Sequence, residues 1–289
     1  MKLPHDPLWP RAQSLFSAEV SGHSDVTLVG IPASQTSLSP SSAHETPAAI
    51  RSALLRYSTA HSDPRVSLER LILRDAGNVS SPDSNEQITI EQLTKLKAET
   101  ELLISLGGDN SVSYSAFKAT GATGLITFDA HYDLRDGISN GSPVRRLVEA
   151  GLDGKKVVQI GIADFSNSVE YAKRAKDFGI TVIPRSSLRA RTISDVWAEA
   201  LAIAGSKIFV DFDMDVCDRS VVPACPAAAP GGISADEIRQ FAFLAGSSTG
   251  VVGADITEID STKDSSDERT VRLAALVVLE MIAGLSTRE

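Results

Sequence analysis

The 289-residue sequence contains few of the residues on which several classes of protein depend. Its two cysteines, Cys217 and Cys225, are too few for a disulfide framework, and free thiols fit a reducing compartment. No apolar run reaches the roughly 18 residues needed to span a bilayer, and residues 1–6 lack the apolar core of a signal peptide. We therefore expect a cytoplasmic protein with no membrane partner.

Basic residues are also scarce, with 28 Lys and Arg against 37 Asp and Glu and a net charge of −9. Nucleic acids and anionic membrane surfaces are bound by basic faces, so the sequence predicts neither as a partner. The surplus of carboxylates instead favours cation binding.

Apolar runs that alternate with helical patterns determine the predicted fold. The runs are continuous, as is typical of parallel strands buried on both faces, and lie at 26–31, 101–106, 124–128, 156–160, 180–183, 207–210 and 250–254. Helices are predicted at 46–55, 112–119, 143–150, 168–178, 192–204, 234–244 and 268–285. This alternation predicts a three-layer α/β/α fold around a mainly parallel central sheet. Since no linker or repeat interrupts it, we predict one domain over residues 1–289.

Polar motifs directly follow four of the predicted strands. They are Gly107–Asn110, Asp129–Asp133, Asp211–Asp215 and Asp255–Glu258. Ligands of such sheets bind beyond the carboxyl ends of the strands. We therefore expect the four motifs to contribute to one crevice.

Two of these motifs have the residue types and spacing of metal ligands. Asp129, His131 and Asp133 occupy alternate positions, which point to the same side of a strand, and Asp213 and Asp215 follow a second strand. Any one of them alone would be interpreted as a helix cap or turn former. Together they predict a site for two divalent cations such as Mn²⁺, which accept carboxylate oxygens and imidazole. The cysteines lack the paired spacing of a structural zinc site.

Taken in order, the motifs resemble those of the ureohydrolase superfamily, which contains the arginases and agmatinases. They are Gly107–Ser111, Asp129–Asp133, Asp211–Asp218, Pro230–Gly232 and Thr257–Asp260. The resemblance extends from about Gly30 to the C-terminus. Within the superfamily, Leu134–Asp136, Ser139–Leu147 and Gln159–Ser168 look most like the formimidoylglutamases. The resemblance implies an arginase-like fold, a small-molecule substrate and a homo-oligomer.

The resemblance also implies roles for the metal ligands. Asp129 and Asp213 would bridge two manganese ions, His131 and Asp215 would complete one ion, and Asp133 would bind the other. Asp133 would also hydrogen-bond a hydroxide that bridges the ions. Attack of this hydroxide on a formimino carbon would convert N-formimidoyl-L-glutamate and water to L-glutamate and formamide, a reaction of histidine breakdown.

Three further residues are predicted to act on the substrate. Glu258 matches the family carboxylate that anchors a cationic amidinium, so it is assigned as catalytic together with Asp133. Arg135 can grip a substrate carboxylate in a bidentate pair. Asn140 stands where arginases carry a histidine that shuttles protons, and an amide can orient substrate but cannot titrate. Arg145 and Arg146 are alternative candidates for binding the substrate carboxylate. For both, however, a position on a solvated helix face or in an intersubunit ion pair is favoured.

Asn110 is the main departure from the superfamily pattern, because most members have a histidine ligand there. An amide oxygen is a weaker donor to a transition ion, so the metal beside Asn110 is predicted to be weakly held or absent. His44 could turn toward the site from the loop after the first strand, but an exposed loop histidine is favoured. Two smaller departures lie around the second acidic motif: Asp211 replaces a frequent serine, and the sequence at Cys217–Arg219 differs from that of most members. The loop after this strand is therefore expected to differ in shape from that of other members.

Two other functions stay open. An amidinohydrolase acting on a guanidino compound would release urea, but Arg135 and Asn140 favour an acidic formimino substrate. A non-catalytic member with a weakened metal site is motivated by Asn110. The presence of the other five ligands together with Glu258 argues against that alternative.

Overall fold

The structure is a computed structural model that describes residues 6–288. Residues 1–5 and 289 lie outside this range. They belong to the predicted 1–289 domain, and residues 1–5 form most of the segment that argues against a signal peptide. Among residues 6–288, no helix combines the length and apolar character needed to cross a membrane.

A nine-stranded sheet forms the centre of the described chain, and its paired strands are parallel. In chain order the strands are β1 (Phe16–Ser17), β2 (Ser24–Ile31), β3 (Leu73–Asn78), β4 (Thr100–Gly107), β5 (Gly124–Phe128), β6 (Val157–Ile162), β7 (Thr181–Pro184), β8 (Ile208–Asp213) and β9 (Val251–Thr257). Across the sheet they follow the order β1-β3-β2-β4-β9-β8-β5-β6-β7.

Helices cover both faces of this sheet. They are α1 (Thr46–Leu54), α2 (Glu86–Lys97), α3 (Val112–Thr120), α4 (Pro143–Glu149), α5 (Val169–Phe178), α6 (Arg185–Leu188), α7 (Ile193–Ala204), α8 (Ala235–Ser247) and α9 (Arg269–Leu285). Short 3-10 turns lie at Ala12–Leu15, Ala43–Glu45, Leu68–Arg70, Gly154–Lys156, Met214–Val216 and Ser261–Lys263. Buried residues of α1, α7, α8 and α9 form one hydrophobic cluster, and those of α2 to α5 form the other. The predicted three-layer α/β/α class with a parallel central sheet is confirmed.

The seven predicted strands are present, but two strands and two helices were not predicted from the sequence. Strand β1 has only 2 residues, and β3 buries only its first residue, so neither shows a continuous apolar run. Helix α2 is mostly polar, with Thr89 and Leu93 as its buried positions, and α6 is a single turn of 4 residues. The capping box predicted at Ser234 and Glu237 does open α8.

The strand order brings the four polar motifs to one edge of the sheet. Strands β4, β9, β8 and β5 are consecutive neighbours, and a motif lies at the carboxyl end of each, directly after β5 and beginning within the last residues of the other three. Gly108 allows the turn after β4 to pass close to the chain that leaves β2, because a Cβ at Gly108 would lie 1.8 Å from the carbonyl oxygen of Ala33. The loops after β2 and β4 therefore border the same crevice.

Candidate active site

The predicted metal ligands meet at the carboxyl ends of β5 and β8. Asp129, His131 and Asp215 form one group of potential ligands, and Asp129, Asp133 and Asp213 form a second. Within each group the offered atoms lie within 4.8 Å of one another. Asp129 belongs to both groups, so two cations held here would be neighbours that share this carboxylate.

Local hydrogen bonds hold these carboxylates in place and leave oxygens available. Asp129 Oδ1 accepts from the His131 amide at 2.6 Å, and Asp213 Oδ1 accepts from the Asp215 amide at 2.9 Å. Asp129 Oδ2 is buried without a hydrogen-bond partner in the described chain. A buried carboxylate oxygen without a partner is costly unless a cation compensates it. These oxygens, together with one imidazole, fit Mn²⁺ and similar divalent ions.

The electrostatics of the cluster also favour a cation. Burial raises the pKa of Asp129 to about 7, and burial and charge repulsion raise the pKa of Asp133 and Asp213. Burial opposes a charge on His131, but the nearby carboxylates of Asp215 and Asp129 raise its pKa to about 12. Its Nδ1 lies 2.9 Å from Asp215 Oδ2. One imidazolium cannot neutralise four carboxylates, so the cluster would gain from bound positive charge.

Asn110 lies beside this cluster and is bonded through each of its polar groups. Its side-chain amide nitrogen donates to Asp133 Oδ2 at 2.6 Å, and its backbone amide donates to Glu258 Oε1 at 2.7 Å. Its side-chain oxygen accepts from the hydroxyls of Ser113 at 2.6 Å and Thr257 at 3.0 Å. The structure thus brings Asn110 to the side of the cluster where Asp133 lies.

A cavity of about 570 Å³ opens above the cluster, lined among others by His131, Asp133, Asp213 and Asp215. Glu258 also lines it, and burial raises the pKa of Glu258 to about 8. Its Oε1 accepts a second hydrogen bond, 2.8 Å long, from the side-chain nitrogen of Asn140. Its Oε2 has no hydrogen-bond partner among residues 6–288, so this oxygen is available to a ligand.

Arg135 lines the same cavity. Its guanidinium lies 6.0 Å from the centre of the Tyr171 ring and makes no hydrogen bond or ion pair within the described chain. Arg145 instead donates to the carbonyl oxygens of Arg135 and Gly137 and pairs with Glu149. Arg135 is therefore available to an anionic ligand at this cavity, whereas Arg145 is not.

The remaining candidates lie away from the cavity. Arg146 pairs with both carboxylate oxygens of Glu86, at 2.9 and 2.6 Å. His44 is exposed, with its Nδ1 3.1 Å from the hydroxyl of Ser34, and does not line the cavity. Cys217 and Cys225 are free and buried, and burial raises the pKa of both thiols.

A buried row of polar side chains lies beneath the ligands and was not predicted. Register pairs place Ser105 beside Asp255, Asp255 beside Asp211, Asp211 beside Thr127, and Thr127 beside Gln159. Each of these side chains has at least one buried polar atom without a partner among residues 6–288. Two residues further along the chain come the predicted ligands, Asp129 directly after β5 and Asp213 at the end of β8. The sequence signal was a polar residue inside the apolar run at Ser105, Thr127 and Gln159, and one directly after the run at Asp211 and Asp255.

Asn167 lies in the Gln159–Ser168 motif and was not predicted as a site residue, yet it supports the loop that carries the predicted ligand His131. Its side-chain oxygen accepts from the Tyr132 amide at 3.1 Å, and its nitrogen donates to the Ala130 carbonyl at 2.8 Å. It thereby holds the backbone on either side of His131. Both contacts span more than thirty residues of sequence, with separations of 35 and 37, so no local pattern could have revealed them.

Oxygen-rich donor groups at the carboxyl ends of neighbouring parallel strands, beside an open cavity, define a metalloenzyme site of the α/β class. The chain belongs to the arginase family, whose sequence profile matches residues 24–284. It is 39% identical over 275 residues to a formimidoylglutamase of Halalkalibacterium halodurans, and the match covers 89% of this chain and 86% of that protein.

Solved structures show the same relationship. The crystal structure of formimidoylglutamase from Bacillus subtilis superposes with a TM-score of 0.90 at 30% identity, over 99% of this chain and 95% of that one. A formiminoglutamase of Trypanosoma cruzi with Mn²⁺ superposes with a TM-score of 0.89 at 26% identity, over 97% of this chain and 100% of that one. The superfamily and the closer resemblance predicted from the motifs are confirmed.

Proposed function

We propose that the chain is a manganese-dependent hydrolase that cleaves the C–N bond of N-formimidoyl-L-glutamate, producing L-glutamate and formamide. The observation that carries this proposal is a single cavity bordered by a carboxylate with a free oxygen, Glu258, and an unpaired guanidinium, Arg135. A formimino amino acid carries a cationic amidine-like group and a carboxylate, which complement these two charges. The similarity to formimidoylglutamases supports the same substrate.

Asp129, His131, Asp133, Asp213 and Asp215 would hold the two manganese ions, with Asn110 on the side of a more weakly held second ion. Bound there, the ions would lower the pKa of water and balance the charge of the carboxylates. The carboxylates of Asp129 and Asp213 come from adjacent strands, and rigid strands keep them at a constant separation.

The chain's own groups would bind and orient the substrate. Glu258 Oε2 would accept hydrogen bonds from the formimino nitrogens, and Arg135 would bind a carboxylate of the substrate in a bidentate pair. Asp133 would accept a proton from the attacking water as its oxygen bonds to the formimino carbon, and would pass this proton to the glutamate nitrogen as the C–N bond breaks. Asn140, which lines the cavity, would contribute to binding between these two ends.

We also propose that residues 1–289 act as one unit, in the cytoplasm and as a homo-oligomer. These features are supported by the low cysteine content and by the family resemblance.

Product analysis tests the proposed reaction. Protein purified with added manganese should release formamide and glutamate from N-formimidoyl-L-glutamate, and no urea from arginine or agmatine. Glu258→Gln should lower kcat/KM by about 100-fold or more, because it replaces the free anionic oxygen at a nearly constant size. Urea release from a guanidino compound would contradict the proposed substrate. Less than about half a manganese ion per chain, without rescue by Asn110→His, would favour a non-catalytic protein.

A further inference from the structure

Asn140 contacts two parts of the active site through its side chain and backbone, and its chain neighbour Gly141 contacts a third. Its side-chain nitrogen donates to Glu258 Oε1 at 2.8 Å, and its side-chain oxygen accepts from the Leu38 amide at 3.1 Å. Its backbone amide donates to the Thr36 carbonyl at 3.3 Å. The amide side chain thus uses a donor on one partner and an acceptor on another, which neither aspartate nor a hydrocarbon could reproduce.

One of these partners is the wall of the cavity formed by residues 34–41, here called the β2 loop. Ser37, Leu38, Ser39 and Ser41 of this loop line the cavity. Asp83 accepts from the first two backbone amides of the loop, at 3.2 Å from Ser34 and 3.0 Å from Gln35. In the middle of the loop, the carbonyl of Thr36 and the amide of Leu38 both bond to Asn140. Asn140 therefore fastens the part of the loop that faces the cavity.

The segment that carries Arg135 contacts Gly141, the chain neighbour of Asn140. The Arg135 amide donates to the carbonyl of Gly141 at 2.9 Å. A Cβ at Gly141 would lie 2.7 Å from Arg135 Cδ and 3.3 Å from Leu38 Cδ1, so the Arg135 stem, Gly141 and Leu38 are packed together. Any shift of the β2 loop would change the support of the Arg135 side chain.

The other partner of Asn140 is Glu258, whose Oε1 accepts one hydrogen bond from the Asn110 amide and one from Asn140. These two donors fix the orientation of the Glu258 carboxylate through Oε1 and leave Oε2 available to a substrate. Loss of the Asn140 donor would leave Oε1 with a single hydrogen bond and allow the carboxylate to rotate. Asn140 therefore supports the group at one end of the cavity and the Arg135 packing at the other.

Resting on the proposed function, we propose that Asn140 is a positioning residue that sets the separation between Glu258 and Arg135. It thereby selects substrates by the length between the formimino group and the side-chain carboxylate, which Arg135 binds. The enzyme discriminates against the aspartate analogue, which is one methylene shorter, because that analogue cannot reach both groups. A residue with this role influences KM and length discrimination more than metal content.

Two variants separate the contacts of Asn140. Asn140→Ala removes both side-chain hydrogen bonds, whereas Asn140→Asp keeps an acceptor for Leu38 and places an oxygen against Glu258. We expect Asn140→Ala to lower kcat/KM for N-formimidoyl-L-glutamate by about 10- to 100-fold, mainly through KM. The ratio of kcat/KM for N-formimidoyl-L-glutamate to that for N-formimidoyl-L-aspartate should fall by about tenfold in Asn140→Ala. Asn140→Asp should lose at least as much activity as Asn140→Ala but retain more of the preference for the glutamate substrate over the aspartate analogue.

Hydrogen exchange and metal analysis provide readouts that do not depend on turnover. Amides of residues 34–41 should exchange faster in Asn140→Ala and close to the wild-type rate in Asn140→Asp, with manganese content unchanged in both. Asn85→Asp is a matched control, because Asn85 caps α2 outside the cavity and aspartate caps equally well. It should leave activity and exchange at wild-type values.

Wild-type exchange of residues 34–41 and wild-type length preference in Asn140→Ala would overturn the inference. If the wild-type enzyme released no formamide, the proposed substrate would be wrong. The exchange measurement on Asn140→Ala would then still test the structural role of Asn140. Faster exchange of residues 34–41 would support the conclusion that Asn140 holds the β2 loop in place, and unchanged exchange would exclude it.

Discussion

Asp133 and Glu258 share a backbone conformation that side chains other than glycine seldom adopt, with φ of 53° and 62°. Such a conformation costs on the order of 1–3 kcal/mol and persists only where surrounding contacts enforce it. Asn110 supplies such contacts to both, since its side chain donates to Asp133 and its backbone amide donates to Glu258. Whatever its strength as a ligand, Asn110 supports two carboxylates that border the cavity.

Replacing Arg135 tests its proposed role at the carboxylate end of the substrate. Arg135→Met should raise KM for N-formimidoyl-L-glutamate by about 10- to 100-fold with a smaller change in kcat, because the lost ion pair binds a part of the substrate that does not react. Steady-state formamide release measures both constants. Arg146→Met is the matched control, since Arg146 pairs with Glu86 outside the cavity. An unchanged KM in Arg135→Met would exclude the assignment.

Asp255 should make the stability of the metal-free protein depend on pH. Burial raises its pKa to about 7, whereas an aspartate in an unfolded chain titrates near about 3.9. Between these values the folded state retains a proton that the unfolded state releases, so the free energy of unfolding falls as pH rises. Asp255→Asn removes this dependence, and the variant should gain up to a few kcal/mol relative to wild type between about pH 4 and about pH 7.

Urea unfolding in excess chelator at several pH values measures this gain. Asp195→Asn is the control because Asp195 is exposed on α7, away from the polar row. A difference between wild type and Asp255→Asn that stays constant with pH would contradict the expected titration of Asp255.

The packing of α8 against α9 shows how close two elements of this fold approach. A Cβ at Gly246 would lie 2.0 Å from the Met281 carbonyl oxygen, and one at Gly284 would lie 2.1 Å from that of Phe243. The two helices therefore meet backbone to backbone. Glycine is needed at both positions for space, although it lowers the intrinsic helix propensity.

Gly246→Ala should accordingly destabilise the protein, even though alanine favours a helix. We expect a loss of about 1–3 kcal/mol in the free energy of unfolding, because the added methyl group forces the helices apart. Gln240→Ala, at an exposed position of the same helix, should change it far less. Chemical denaturation checks both variants, and an equal or higher stability of Gly246→Ala would mean that α8 and α9 can separate without cost.

At the scale of elements, sequence patterns predicted those whose burial is uniform. Strands β2, β4, β5, β6 and β8 are buried along nearly their whole length, so their apolar runs are continuous. Strand β3 and helix α2 present polar residues to solvent, and their positions depend on neighbours rather than on a run of their own. Local pattern is therefore a good guide to the centre of this sheet, whereas at the edges it predicted β7 but not β1 or β3.

The carboxylate cluster couples metal binding to the stability of the whole molecule. A ligand that binds only the folded state stabilises it by about 2.7 kcal/mol when present at a hundred times its Kd. We therefore expect saturating Mn²⁺ to raise Tm by about 5–10 °C over protein in excess chelator. Differential scanning fluorimetry measures the shift.

Two variants show whether that shift depends on the cluster. Asp213→Asn should abolish most of the manganese-dependent rise in Tm, because Asp213 belongs to one of the ligand groups. Asp195→Asn, an exposed acidic position on α7, should retain it. An equal rise in both variants would place the stabilising manganese elsewhere.

The sequence by itself determined which residues could bind metal and which strands they follow. The motif Asp129–Asp133 comes directly after the apolar run of β5, so its place at the carboxyl end of that strand follows from the local pattern, although its residues lie in a loop and do not alternate along the strand. Continuous apolar runs likewise required a sheet covered on both faces. These properties are local and can be recognised without knowing any neighbour.

Only the tertiary structure decided which of these residues meet and which stay available. Asn140 reaches Leu38 and Glu258 across 102 and 118 residues of sequence. Among residues 6–288 the Arg135 side chain has no ion pair, while Arg145 and Arg146 pair with glutamates, and Asp211 lies beside Asp255. Such contacts depend on the order of strands in the sheet, β4-β9-β8-β5. That order is set by the packing of the whole chain, because no local pattern specifies which strands become neighbours.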